Sequence, residues 1–130
     1  MAISMFYGGL LGIWFLVLTV RVLQGRAGKG KPSLGDGGDM GMQRRIRAHG
    51  NFSEYVPLTL ILIAFLEFND TANWVIHILG LGLFVGRLLH GYAFAFTPEH
   101  VFGRSAGILL TLISLALASI LTVYQGISGF

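Results

Sequence analysis

Four long apolar stretches, broken by short polar or glycine-rich ones, fill most of the 130-residue chain. A run of about 20 apolar residues wound as an α-helix rises about 30 Å, enough to cross the hydrocarbon core of a bilayer. The pattern predicts such helices over residues 3–23, 40–68, 72–96 and 104–127. A glycine-rich segment with one proline predicts a flexible loop over 25–39. Asn69, Asp70 and Thr71 supply a turn and capping side chains ahead of the third helix, and Thr97 to Gly103 form a short loop ahead of the fourth. These elements use up the length. The expectation is an all-α membrane protein, with residues 1–130 forming a single domain that is a four-transmembrane-helix bundle.

Composition agrees with that pattern. Hydrophobic residues make up 54% of the chain, charged residues only 12%, and the mean hydropathy is +0.72; soluble domains carry about 25% charge. The high isoelectric point, about 9.7, does not imply nucleic acid, because the cations flank the apolar spans. Arg26, Lys29, Lys31, Arg44, Arg45 and Arg47 lie in or just after the first loop, and Arg104 follows the third helix on the same side. The opposite turn carries Glu67 and Asp70 and no cation. The positive-inside rule therefore places the basic loops in the cytoplasm and both termini outside, as in a bacterial inner membrane protein. The apolar N-terminus lacks a charged leading segment and a small-residue cleavage site, so it reads as a retained first span. There is no cysteine, so any sulfur chemistry has to come from a ligand.

Charged side chains inside spans cost roughly 2.5–3.5 kcal/mol each at mid-helix on insertion scales. Arg21, late in the first helix, Glu54, about 20 Å from the outer end of the second, Arg87 and His90 in the third, and Arg104 at the start of the fourth all fall in the cytoplasmic leaflet. Arg44, Arg47, Asn51 and Glu54 are three and four residues apart, on one stripe of the second helix, and Arg87 and His90 share a face of the third. Pro57 follows Glu54 and predicts a kink beside the site. Plainer readings stand beside this one. Arg21 reads equally as a snorkelling side chain, Arg45 lies off the stripe and reads as a topology signal, and Glu54 with Arg87 could form an ion pair that only joins helices. His77 stands apart and reads as structural; its separation from His49, His90 and His100 gives no metal-ligand spacing, and no metal is expected. Gly25 to Ser33 mimics a phosphate loop, but proline follows the lysine and no strand precedes it.

The segment RAHGNFSEYVP, with Arg47, Asn51, Glu54, Tyr55 and Pro57, resembles the MAPEG family, the membrane-associated proteins in eicosanoid and glutathione metabolism. GRLLHGYAF, the Arg104–Ser105 pair and Arg21 look similar to the family at the expected places, and the closest likeness is to its short bacterial branch, similar to microsomal glutathione transferases. The resemblance implies a homotrimer that binds glutathione between subunits near the cytoplasmic surface. It implies that Arg47, Asn51, Glu54 and Tyr55 contact glutathione, with Arg21 and His90 contributing, and that Arg104 with Ser105 stabilises the thiolate. Arg87, beside His90, joins the candidate ligand contacts by its shared face and depth. Glutathione brings two carboxylates and one ammonium, which arginines and one glutamate complement. Gly50 stands where some eicosanoid-forming members carry an arginine, and Phe94 and Ile108 where tyrosine is common, which points away from an eicosanoid substrate.

The expected activity is that of a glutathione S-transferase, joining the thiolate to a lipophilic electrophile that arrives through the lipid bilayer. Two rivals come from other classes. A non-catalytic glutathione-binding or scaffold protein would share the fold without the rate. A small multidrug exporter also has four spans and a membrane glutamate, but its site should favour cations, and arginines outnumber Glu54 at its depth.

Overall fold

The computed structural model describes residues 1–98 and 100–129 and contains four α-helices. They are α1 (Ala2–Arg26), α2 (Met40–Phe68), α3 (Asn73–Ala95) and α4 (Val101–Ser128). Each is long and apolar enough to cross a membrane. At 29 residues, α2 extends about 43 Å, so its polar first turns project past the hydrocarbon. It runs unbroken through Pro57. The expected loop before α4 contains Glu99, which lies outside the described residues.

The start of α4 differs from the sequence expectation for a local reason. The helix starts at Val101 rather than Arg104, because the His100 side chain caps it: Nδ1 accepts from the Gly103 N–H at 3.0 Å. Arg104 is therefore the fourth residue of α4 and does not open it. Its own N–H already donates to the His100 carbonyl at 3.1 Å. At the start of α2, Asp39 accepts from the N–H groups of Gly41 and Met42. These bonds hold its carboxyl below the ordinary value of 3.8, the Met42 bond contributing most and the Gly41 bond next.

Within the bundle, α1 packs on α2 and α3, α4 packs on α3 and α2, and α1 does not touch α4 among the described residues. Leu11, Leu18, Phe52, Ile63, Leu79 and Leu83 belong to the shared core. The closest approach joins α3 to α4. A Cβ placed on Gly107 would lie 2.5 Å from the His90 nitrogen and 2.7 Å from the Gly86 oxygen, so only glycine permits this crossing. Gly86 and Gly107 are thus used inside the chain, whereas Gly9 and Gly12 face open space. Met5, Leu16, Phe65, Trp74, Ile120 and Tyr124 are among the many large side chains exposed on the outside. On a soluble protein such a surface would be a liability; around four spans it is the face presented to lipid.

The end of the bundle that holds the start of α1 is closed by one carboxylate. Helix α1 begins without a local side-chain cap, and Glu67 of α2 supplies one from a distance. Its oxygens accept from the N–H groups of Ile3 (2.9 Å) and Ser4 (2.8 Å) and from the Ser4 hydroxyl, and it pairs with the N-terminal ammonium at 3.1 Å. Negative charge at a helix N-terminus is favourable. Nearby, the Tyr7 hydroxyl and His77 Nδ1 are hydrogen-bonded at 3.2 Å.

Candidate functional site

The half of the bundle that holds the start of α2 is built around a buried guanidinium. Arg87 on α3 is only 2% exposed. Its Nε donates to the Thr111 hydroxyl of α4 at 2.9 Å, and its Nη1 donates to Asn51 Oδ1 of α2 at 2.7 Å. Thr111 in turn donates to the Gly107 carbonyl at 2.9 Å. The glycine crossing makes this reach possible, because Thr111 lies one turn beyond Gly107. The Arg87 guanidinium also stands 5.9 Å from the Tyr55 ring centroid. Its Nη2 is buried with no partner among the described residues. Arg87 is thus an internal cross-brace of three helices.

The stripe on α2 splits into two functions. Arg44 and Asn51 lie on the side that turns into the chain, while Arg47 and Glu54 are exposed, roughly 60° further around the helix. Asn51 uses its carbonyl oxygen on Arg87, which leaves its amide N–H₂ as the group for a ligand. No ion pair joins Glu54 to Arg87: among the described residues, the pairs within 4.0 Å are Glu67 with the N-terminus and Lys31 with Asp39. Glu54 therefore presents a carboxylate on the outer surface of the chain, about 20 Å along α2 from Glu67.

Phe94 gathers the remaining groups. His90, largely buried, packs on it with ring centroids 4.8 Å apart. The Arg44 and Arg104 guanidinium groups stand 5.2 and 5.9 Å from the Phe94 centroid. An aromatic face attracts cations, so the ring brings α2 and α4 arginines together despite their like charge. Arg44 and Arg104, with His100 and Val101, line a cavity of about 230 Å³ at the arginine-rich end of the bundle. Arg104 and Ser105 are both exposed.

Arg21 is held elsewhere. Its Nε and Nη2 donate to the Ala95 carbonyl at the end of α3, at 3.2 and 2.9 Å, and its guanidinium lies 4.6 Å over Phe96. Arg44 Nη2 likewise donates to the carbonyls of Ala93 and Thr97, and Arg45 Nη1 to that of Arg21. The carbonyls of Ala93, Ala95 and Thr97 lie at or just past the C-terminus of α3, where the macrodipole favours a cation. Within one chain Arg21 shares a cavity with Arg44 and Arg45, and not the one that Arg104 lines. Sequence reasoning passed over Thr111, whose signal is its place seven residues after Arg104 on the same helix face, and Phe94 as the ring that collects cations.

The sequence model of the MAPEG family matches residues 4–124. Two curated relatives, both named inner membrane protein YecN, come from Escherichia coli strain K12 and from E. coli O6:H1 strain CFT073. Each is 47% identical over 60 residues. The match spans 46% of this chain and 46% of the relative's length. No solved structure matches the chain.

Proposed function

The chain belongs to the MAPEG family, and from that premise we propose that it is a glutathione transferase acting at the cytoplasmic leaflet of an inner membrane. The observation that carries the reading is the exposed pair on α2, Arg47 and Glu54, set beside the inward-bonded Asn51. A carboxylate and a guanidinium left open at bilayer depth are costly against lipid. They suit a zwitterionic ligand held between this surface and a second copy, in a homotrimer. The basic loops and the name of the E. coli relatives support the inner-membrane location.

In this reading Arg47 pairs with a glutathione carboxylate, Glu54 with its ammonium, and the Asn51 amide donates to the peptide. Tyr55 and His90 line the site, and Arg87 keeps Asn51 in its donor orientation. Arg21 reaches glutathione from a neighbouring copy through its remaining N–H groups. Arg104 and Ser105 face the sulfur. A free thiol near pKa 8.5 is mostly protonated at neutral pH, and a guanidinium beside it favours the thiolate. The effect rests on the Arg104 charge more than on the helix dipole, since the N–H groups of Gly103 and Arg104 are already bonded to His100. The thiol proton leaves to solvent, the sulfur lone pair forms a bond to the electrophilic carbon, and the leaving group departs with its bonding pair.

A glutathione-binding protein without catalysis is the second reading, favoured by Phe94, whose ring offers no hydroxyl to the site. Calorimetric titration of the purified protein with glutathione, followed by conjugation of a model aryl halide, decides the matter. Saturable binding with thiol-dependent conjugation is expected. Binding without conjugation supports the second reading, and no binding overturns both.

A further inference from the structure

Two features at the cytoplasmic end of α1 meet at two side chains. A cavity of about 170 Å³ opens between the end of α1, the start of α2 and the end of α3, with Arg21, Arg44 and Arg45 on its walls. A groove of about 460 Å³ runs along α1 over Ile13, Leu16, Val17 and Val20 and ends at Arg21, Gln24 and Phe96. Arg21 and Phe96 line both.

The three guanidinium groups are held in place by neutral carbonyls and by the Phe96 ring. None of them lies within 4.0 Å of a carboxylate among the described residues. Arg44 Nε is buried with no partner there. Fixed cations with spare donors suit a phosphate, whose oxygens take several N–H bonds at once. The groove sets the depth. From Ile13 to Gln24 α1 rises about 16 Å, close to half of the ~30 Å hydrocarbon core. The groove therefore spans one leaflet, and its cationic end falls at headgroup level on the side that the basic loops assign to the cytoplasm. A free phosphate would use the cavity alone; a phospholipid uses both features in register.

We propose that this is a binding site for an anionic phospholipid of the cytoplasmic leaflet, with the phosphate in the arginine cavity and one acyl chain in the α1 groove. The site shares Arg21 with the transferase reading, so its test is carried by Arg44 and Arg45, to which that reading gives no role. Its test is native mass spectrometry of the full chain in detergent, with phosphatidylglycerol and phosphatidylcholine of identical acyl chains. Phosphatidylglycerol should be retained at least ten-fold better. Replacing Arg44 and Arg45 by glutamine should weaken its retention roughly five-fold per arginine, which is about 1 kcal/mol each, and the double lysine variant should recover most of it. Val17→Trp, which fills the groove, should lower retention while leaving the arginines intact. Equal retention of the two lipids overturns the proposal. So does displacement of the lipid by inorganic phosphate at matched concentration, which marks a free-anion site, or by glutathione, which assigns the cavity to conjugation. Disulfide formation between two chains of a Val17→Cys variant, undiminished by lipid, assigns the groove to a second copy instead. Should the glutamine variant fail to fold, unchanged retention by Val17→Trp is the overturning result.

Discussion

The two leaflets of this protein handle buried polarity in opposite ways. At the outer end one carboxylate, Glu67, is met by two backbone N–H groups, a hydroxyl and an ammonium. At the opposite, arginine-rich end Arg21, Arg44, Arg45 and Arg87 are met by neutral oxygens and aromatic rings and by no carboxylate among the described residues, while Arg47 and Glu54 face outward. Arg44 Nε and Arg87 Nη2 keep buried N–H groups without a partner among the described residues. Polar groups at equal distance from a membrane surface are therefore not equivalent. A completed set holds helices together, whereas a set with spare charge is suited to an anion.

The largest effect is expected at the crossing that makes the cytoplasmic set possible. Gly107→Ala should cost about 3 kcal/mol, since its Cβ would strike backbone on α3 rather than a side chain that could move. Gly50→Ala, with nothing within 4 Å, should instead be neutral or slightly stabilising, because alanine favours the helix by up to ~1 kcal/mol. Thermal unfolding in detergent compares the two. Equal stability would mean that α3 and α4 do not meet at Gly86 and Gly107.

Next come the two glutamates, which should separate cleanly by observable. Glu67→Gln should lower stability by about 2–3 kcal/mol, at the upper end for bonds to a charged group, and leave glutathione affinity alone. Glu54→Gln should leave stability alone and weaken glutathione binding by about 1.5–2 kcal/mol, the lower end of the same range. If both variants lose stability and neither loses binding, Glu54 belongs with Glu67 as a structural group and the contrast between the leaflets collapses.

Much of this was legible in the residues, and the limits have physical causes. Four apolar runs predict four spans because periodicity and length are local properties. Depth was legible too, since rise per residue turns position into distance. Pairing was not. Glu67 caps a helix 63 and 64 residues away, and Arg87 bonds to Asn51 and Thr111 on two other helices; no local pattern encodes those distances. One clue was available: α1 starts without a capping residue, at the same end of the bundle as a turn with two carboxylates and no cation. The start of α4 was misplaced because histidine is not among the usual caps, yet His100 does that work. Arg21 reads as a snorkelling or ligand-binding cation from sequence, while the fold spends two of its donors on the end of α3.

The smallest effect is expected outside the bilayer. Asp39 keeps its carboxyl below the ordinary value through the N–H groups of Met42 and Gly41. A lowered folded-state value means that its stabilisation is present above the unfolded pKa and is lost as pH falls through the folded one, so below about pH 4. Hydrogen exchange at Gly41 and Met42 should accelerate in that range, and Asp39→Ala should show the fast rate at all pH values. A pH-independent rate in the parent would remove Asp39 as the cap of α2.

The most direct measurement is the ultraviolet thiolate absorbance of glutathione bound to the parent and to Arg104→Ala, read beside conjugation of an aryl halide. The parent should show thiolate at neutral pH. The alanine variant should still bind glutathione, lose most of that absorbance and conjugate about ten-fold more slowly or worse, since one pKa unit corresponds to ~1.4 kcal/mol. Arg104→Lys should recover only part of the rate, because a point charge on a flexible stem does not reproduce the planar guanidinium. Bound glutathione without thiolate in the parent, or an alanine variant that conjugates at the parental rate, would contradict a cytoplasmic site built to hold an anionic sulfur.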